Sequence, residues 1–289
     1  MTWYERMNAA IEYIESNIYN SINFDEIAKI VGQSAINFQR TFSIVTDISV
    51  FEYIRRRRLT LAAFDIQNTN DKVIDVALKH GYESPEAFTR AFKEMHGTSP
   101  TNARKQALAL KAYPRITFLL SIKGAEAMEY RVEQKEAFSV YGIEAIFTTE
   151  DDEMLKNIPV FWKECWESGK CGELLKSTGG PTSGIHAVCG YRKTGGNTFP
   201  YMIFTRYIEG CNTDGFTKIE IPESTWAIFK SENHTMEQTS SVIQNLIKRA
   251  HTDWLPSASY KKIDGYELEL TFCLGDNIFY SEVWMRVAI

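Results

Sequence analysis

Two short stretches of this 289-residue chain carry side chains suited to reading the edges of base pairs. In the first, Ile36, Asn37, Gln39 and Arg40 fall near the start of a segment with helical spacing. A glutamine can pair bidentately with adenine and an arginine with guanine in the major groove, and an isoleucine can pack on a thymine methyl. In the second, Pro85, Glu86, Thr89 and Arg90 take the corresponding places. Glu83 and Glu86 disfavour phosphate there, although a carboxylate can accept from cytosine N4. The first stretch is therefore expected to be the stronger base reader, with Arg40 mattering more than Arg90. Between them run Arg55, Arg56, Arg57 and Arg58. Four successive residues span more than one helical turn and cannot share one face. Arg55 and Arg56 are the expected phosphate contacts, and at least one of the four should pack its stem into the domain.

The elements that must hold these side chains are legible. From Ser84 to Pro100 the chain reads as a helix with both ends marked: Ser84 as N-cap, Pro85 in the first turn, Glu86 at the positive dipole end and Gly97 at the close. Phe88, Ala91, Phe92 and Met95 share a face at helical spacing. Ahead of it, Val76 to Tyr82 is a short apolar helix pattern closed by Gly81, so the whole reads as a helix-turn-helix. A polar helix face standing alone is most simply a solvated one, but this unit occurs twice. Ala28, Gly32, Ser34, Phe38, Arg40 and Phe42 repeat Ala77, Gly81, Ser84, Phe88, Arg90 and Phe92, and Ser49 echoes Ser99. A fixed-period repeat points to a duplicated structural unit. A packing helix precedes the first copy over residues 3–19, Asp25 opens the next helix, and a connecting helix runs from about Val50 to Gln67. Held by that rigid helix, two reading heads would lie about one turn of DNA apart. The doubled motif, the arginine-rich connector and the closing Gly97-Thr98-Ser99-Pro100 resemble the DNA-binding domain of the AraC/XylS family over roughly residues 3–106. The resemblance implies an all-α domain that binds double-stranded DNA, with RNA polymerase as a further partner.

Composition is that of an ordinary globular protein, 44% hydrophobic and 24% charged. No apolar run approaches the roughly 20 residues that span a bilayer, and Met1 to Arg6 lacks a signal-peptide pattern, so no membrane partner and a cytoplasmic location are expected. All five cysteines lie in the second half, with no Cys-x-x-Cys pair; neither a disulfide framework nor a metal site is indicated, and no cofactor is expected. The first 112 residues hold 14 basic and 13 acidic side chains, so any positive field there must be local.

We place the boundaries at 1–110 for the DNA-binding domain, 111–125 for a linker and 126–289 for a second domain. Ile116 to Leu120 is too apolar for a free linker and should pack on one of the domains. Beyond it, strands are expected over 130–133, 138–143, 184–192, 201–207, 216–221, 225–230, 266–273 and 280–287, with helices over 151–169 and 235–254. This is an α+β domain in which strand-strand-helix-strand occurs twice, implying a pseudo-two-fold arrangement with a cleft. Ile221-Pro222-Glu223-Ser224-Thr225-Trp226, Asp253-Trp254-Leu255-Pro256, Tyr260, the Asp264 to Glu269 run and Ser281-Glu282-Val283-Trp284 resemble the GyrI-like, SOUL-type effector-binding domain, although Met285-Arg286-Val287 lacks the family's proline. Reading heads fused to such a domain look like the Rob-type arrangement. The resemblance implies a pocket carboxylate at Glu269, with Glu267 two residues earlier on the same strand face. Trp162, Trp166, Tyr191, Tyr201, Trp226 and Trp284 are nominated as an aromatic wall. Rings and a carboxylate suit a small cationic aromatic effector. The domain could alternatively be a small-molecule hydrolase or bind a protein partner, but no Ser/His/Asp or metal constellation supports catalysis, and the protein is not expected to be an enzyme.

Overall fold

The computed structural model describes residues 1–106, 108–119, 127–178 and 184–289. The chain divides into two compact units, Met1–Gly32 with Val50–Leu119, and Gln33–Ser49 with the described part of Leu120–Ile289.

The first unit is all-α: α1 (Trp3–Ser16), α2 (Phe24–Val31), α4 (Val50–Asn68), α5 (Val73–Lys79), α6 (Pro85–His96) and α7 (Pro100–Gln106), with α3 (Ala35–Thr46) grouped in the second unit. Local signals set the helix ends. Thr2 and Glu5 form a capping box on α1, Asn23 caps α2, and the Ser84 hydroxyl accepts from the Ala87 amide at 3.2 Å. The core joins α4 (Leu59, Ala62, Ile66) to α5 (Val76, Ala77) and α6 (Phe88, Phe92). Gly81 ends the turn after α5 at φ +80°, and a Cβ there would lie 2.7 Å from the Arg58 guanidinium. Both conformation and close approach require glycine. Ser84→Ala should cost about 1 kcal/mol of first-unit stability by removing the α6 cap; urea denaturation followed by circular dichroism checks it.

The arginine run is largely internal to this unit. Arg57 pairs with Glu15 and donates to the Tyr113 carbonyl, and Arg58 donates to the carbonyls of Ile18 and Asn20. Arg55 and Arg56, expected on phosphates, both bind the Glu52 carboxylate, and Arg56 lies over the Tyr113 ring. Four cations facing three carboxylates (Glu15, Glu52 and Glu94) and several carbonyls act here as struts, with Arg55 and Arg56 still partly exposed. Residues 108–119 stay in the first unit without helix or strand. Asn8 exchanges two hydrogen bonds with the Phe118 backbone, and Trp3 meets the Phe118 ring. Residues 120–125 of the expected linker lie outside the described residues.

The second unit is built on one antiparallel sheet. Its elements are β1 (Glu129–Lys135), β2 (Phe138–Thr148), α8 (Glu153–Glu167), α9 (Lys170–Ser177), β3 (His186–Cys189), β4 (Thr198–Arg206), β5 (Thr217–Ile221), β6 (Ser224–Lys230), α10 (Thr239–Arg249), β7 (Lys261–Lys262), β8 (Glu267–Gly275) and β9 (Ile278–Ala288). The strand order is β1-β6-β9-β8-β3-β4-β2-β5, with β7 paired to β9. Exchanging β1 with β5, β6 with β2, β9 with β4 and β8 with β3 reproduces that order, so the internal two-fold passes between β3 and β8. Gly142 lets β2 approach β4, since a Cβ there would stand 1.9 Å from the Ile203 carbonyl oxygen. Helix α9 and the two-residue β7 have no counterpart in the sequence reading. The helix expected over 235–254 is three pieces: a 3₁₀ turn at Met236–Gln238, α10, and a π-helical turn at Ala250–Trp254.

Alternation along the strands sorts the side chains. Tyr141, Ala187, Cys189, Tyr201 and Ile203 face one way and pack with α8 and α9. Val140, Val188, Met202, Phe204, Trp226, Ile228 and Leu268 form a second cluster on the other face.

Candidate functional site

The two carboxylates stand at the internal two-fold. Glu269 is opposite Ala187 and Glu267 opposite Cys189 across the β8–β3 pair. By parity both share the face of Ala187 and Cys189, away from Leu268. Only Glu269 lines the cavity of about 500 Å³ on that face. Its walls come from α8 (Met154, Ile158, Trp162, Trp166), β4 (Phe199, Tyr201), α10 (Ile243, Ile247) and, from α3, Arg40 and Ile44. Trp162 donates its indole N–H to the Tyr201 hydroxyl at 2.9 Å, which donates to Glu269 Oε2 at 3.0 Å. Burial raises the Glu269 carboxyl above the usual carboxylate range, opposed by the Tyr201 hydrogen bond and the Arg40 charge.

Glu267 sits beside the cavity and has a different task. Its carboxylate pairs with Lys262 on β7 and with Arg40 at 2.7 Å. Burial alone would raise it, but those two cations hold it well below the ordinary glutamate value. Burial keeps the neighbouring Cys189 thiol neutral, pushed up to about 12, and His251 neutral, pushed down to about 3.

Of the nominated wall, Trp162, Trp166 and Tyr201 line the cavity, whereas Tyr191, Trp226 and Trp284 do not. Those three belong to or pack on the opposite cluster. The register gives the reason: Trp284 pairs with Leu268 and with Ile228, so it shares their face, while Glu269 pairs with Val283.

The first reading stretch departs most from expectation. Asn37, Gln39 and Arg40 were expected outward but are only 4%, 0% and 6% exposed, turned into the second unit. Asn37 donates to Asp264 at 2.8 Å and accepts from Lys262 at 3.0 Å. Gln39 donates to Asn197 at 3.0 Å and accepts from the Thr149 hydroxyl at 2.6 Å. The Arg40 guanidinium lies 4.8 Å from the centre of the Phe199 ring besides binding Glu267. Ile36 packs against the apolar cluster of the same face. These long-range partners are 110 or more residues away in sequence, so no local signal could have announced them. In the second stretch Glu86 and Arg90 are exposed, and Pro85 and Thr89 are half-buried.

No group of three or more metal-ligating side chains occurs among the described residues, and no helix among them is long and apolar enough to cross a membrane. The fold and site thus define a helix-turn-helix regulator fused to an effector-binding domain, and comparison with known proteins agrees. Residues 27–106 match a helix-turn-helix domain family, and residues 131–289, more than half the chain, match the integron-associated effector binding protein family. The chain belongs to that effector-binding family through its C-terminal part and to the AraC/XylS-type transcription regulators through its N-terminal part. It is 40% identical over 89 residues to the transcriptional activator AarP of Providencia stuartii, covering 31% of this chain and 66% of that relative. It is 36% identical over 104 residues to the regulatory protein SoxS of Salmonella typhimurium, covering 36% of this chain and 97% of SoxS. A protein solved bound to tetraphenylphosphonium matches 56% of this chain and 94% of its own, at 19% identity and a TM-score of 0.45. Both matched families are regulatory or effector-binding rather than catalytic.

Proposed function

We propose that this protein binds double-stranded DNA through its helix-turn-helix units and a small lipophilic aromatic cation in the cavity of the second unit, regulating promoters in the cytoplasm where it meets RNA polymerase. The observation that carries the effector reading is the cavity itself: rings and aliphatic side chains from α8, β4 and α10 surround one carboxylate, Glu269, which accepts a hydrogen bond from the Tyr201 phenol. Rings contribute dispersion and cation–π attraction, and a carboxylate in such a wall favours a partner of opposite charge. For DNA, the exposed start of α6, with Glu86 and Arg90 on its surface, is free to approach a duplex. Gln39 and Arg40 remain the proposed base readers of the first unit of the repeat when α3 is not engaged. Selection of bound sites from random duplex at physiological salt, with and without tetraphenylphosphonium, tests the DNA reading. One shared motif should emerge in at least one condition; no sequence preference in either would refute it.

A further inference from the structure

We propose that α3 is an internal competitor of the effector: docked, it closes the cavity with Arg40 and hides its own base-reading side chains, and a cationic effector releases it for DNA. This rests on the reading of the cavity as an effector site.

The contacts of α3 fit a ligand more than a packing helix. Arg40 presents a cation to a carboxylate, Glu267, and to a ring face, Phe199, which are the two features that hold a lipophilic cation. Phe199 and Glu269 line the cavity together with Arg40 and Ile44, so α3 forms one of its walls. The amide of Gln39 is occupied at both ends by Asn197 and Thr149 and is fully buried. Asn37 is likewise held between Asp264 and Lys262. Side chains so engaged cannot also meet base edges, which makes docking of α3 and reading by α3 mutually exclusive.

Charge balance supplies the coupling. With α3 docked, two carboxylates (Glu267, Glu269) face two cations (Lys262, Arg40), while Cys189 and His251 stay neutral. A cation entering now adds an unbalanced charge beside Arg40 in a poorly screened site. Once α3 leaves, the site is one positive charge short, and the same cation restores neutrality. The effector therefore prefers the released state, and such a difference in affinity is what shifts a two-state equilibrium. The polar part of the docked state is reversible. A buried ion pair such as Arg40–Glu267 repays little beyond its own desolvation, the hydrogen bonds can be replaced by water, and what else must be given up is the packing of Ile36 and Ile44 and the exposed Lys248–Asp47 pair. A neutral molecule of the same shape lacks the charge term and should shift little.

The test measures affinity of the full chain for its selected site by fluorescence anisotropy. Saturating tetraphenylphosphonium should tighten binding by about 10-fold or more, a shift requiring at least that much preference for the released state, whereas neutral triphenylphosphine oxide should change it less than about 2-fold. Glu267→Gln should bind DNA tightly without any cation. Because that variant removes the carboxylate facing Lys262 and could fold poorly, Asp264→Ala with Asn197→Ala provides a milder release of the same helix, and should likewise gain about 10-fold. Unchanged DNA affinity in the folded Asp264/Asn197 variant overturns the proposal whatever the ligand result. Calorimetric binding of the cation with no change in DNA affinity also overturns it, yet leaves the effector reading intact. Failure of the cation to bind at all, with the variants still activated, sinks the effector reading while supporting the latch.

Discussion

Glu269→Gln is expected to weaken tetraphenylphosphonium binding by at least about 30-fold, since losing one partner of a buried charge pair costs about 2 kcal/mol or more. The substitution keeps shape and removes charge. Tyr201 can still donate to the new amide oxygen, so the wall should persist. Affinity for neutral triphenylphosphine oxide should hardly change, which separates loss of charge from loss of the cavity. A pH profile adds an independent check. The folded carboxyl is raised by burial, so the charged form, and with it cation affinity, is lost as pH falls through that raised value, earlier than for an ordinary glutamate. Arg40 and Tyr201 oppose that rise, and Glu267 adds to it. The glutamine variant should be flat over the same range. Equal calorimetric affinities of wild type and variant would remove Glu269 from the site.

Trp226→Ala should have the largest effect on stability, about 3–5 kcal/mol for deleting a fully buried large ring. Trp226 is 0% exposed and packs against Trp284 with ring centres 5.8 Å apart, on the sheet face opposite Glu269. It was nominated as a cavity wall, and the register places it instead in the core of the second cluster. Trp166, at 47% exposure on the cavity rim, is the contrasting case. Trp166→Ala should cost less than about 1 kcal/mol of stability, as exposed substitutions do, while reducing affinity for an aromatic cation. Denaturation of the two variants side by side measures the difference; comparable losses would mean the assignment of faces is wrong.

Much of the frame was legible because its causes are local. Caps, turn glycines and 3.6-residue spacing placed α1, α4, α5 and α6 within a few residues, since each signal acts within one or two turns. Period-two runs located most strands, and the repeated strand order anticipated the internal two-fold in the sheet. Helix α9 was missed although Cys171, Leu174 and Leu175 carry helical spacing, because the eight-residue stretch adjoins a longer helix and reads as its tail. The parity that separates Glu269 from Trp284 needs the β8–β9 register, which no strand shows on its own.

By itself the sequence determined two helix-turn-helix units and an α+β second half, because capping, periodicity and motif spacing are written along the chain, while the resemblance to the effector-binding domain pointed to Glu269. Only the tertiary structure decided which rings meet that carboxylate, that Glu267 serves Lys262 and Arg40 instead, and that Asn37, Gln39 and Arg40 are engaged with Asp264, Asn197 and Glu267. The reason is physical. A polar side chain on a helix face is equally compatible with water, a base edge or a buried partner, and the choice is set by charges brought beside it from more than a hundred residues away.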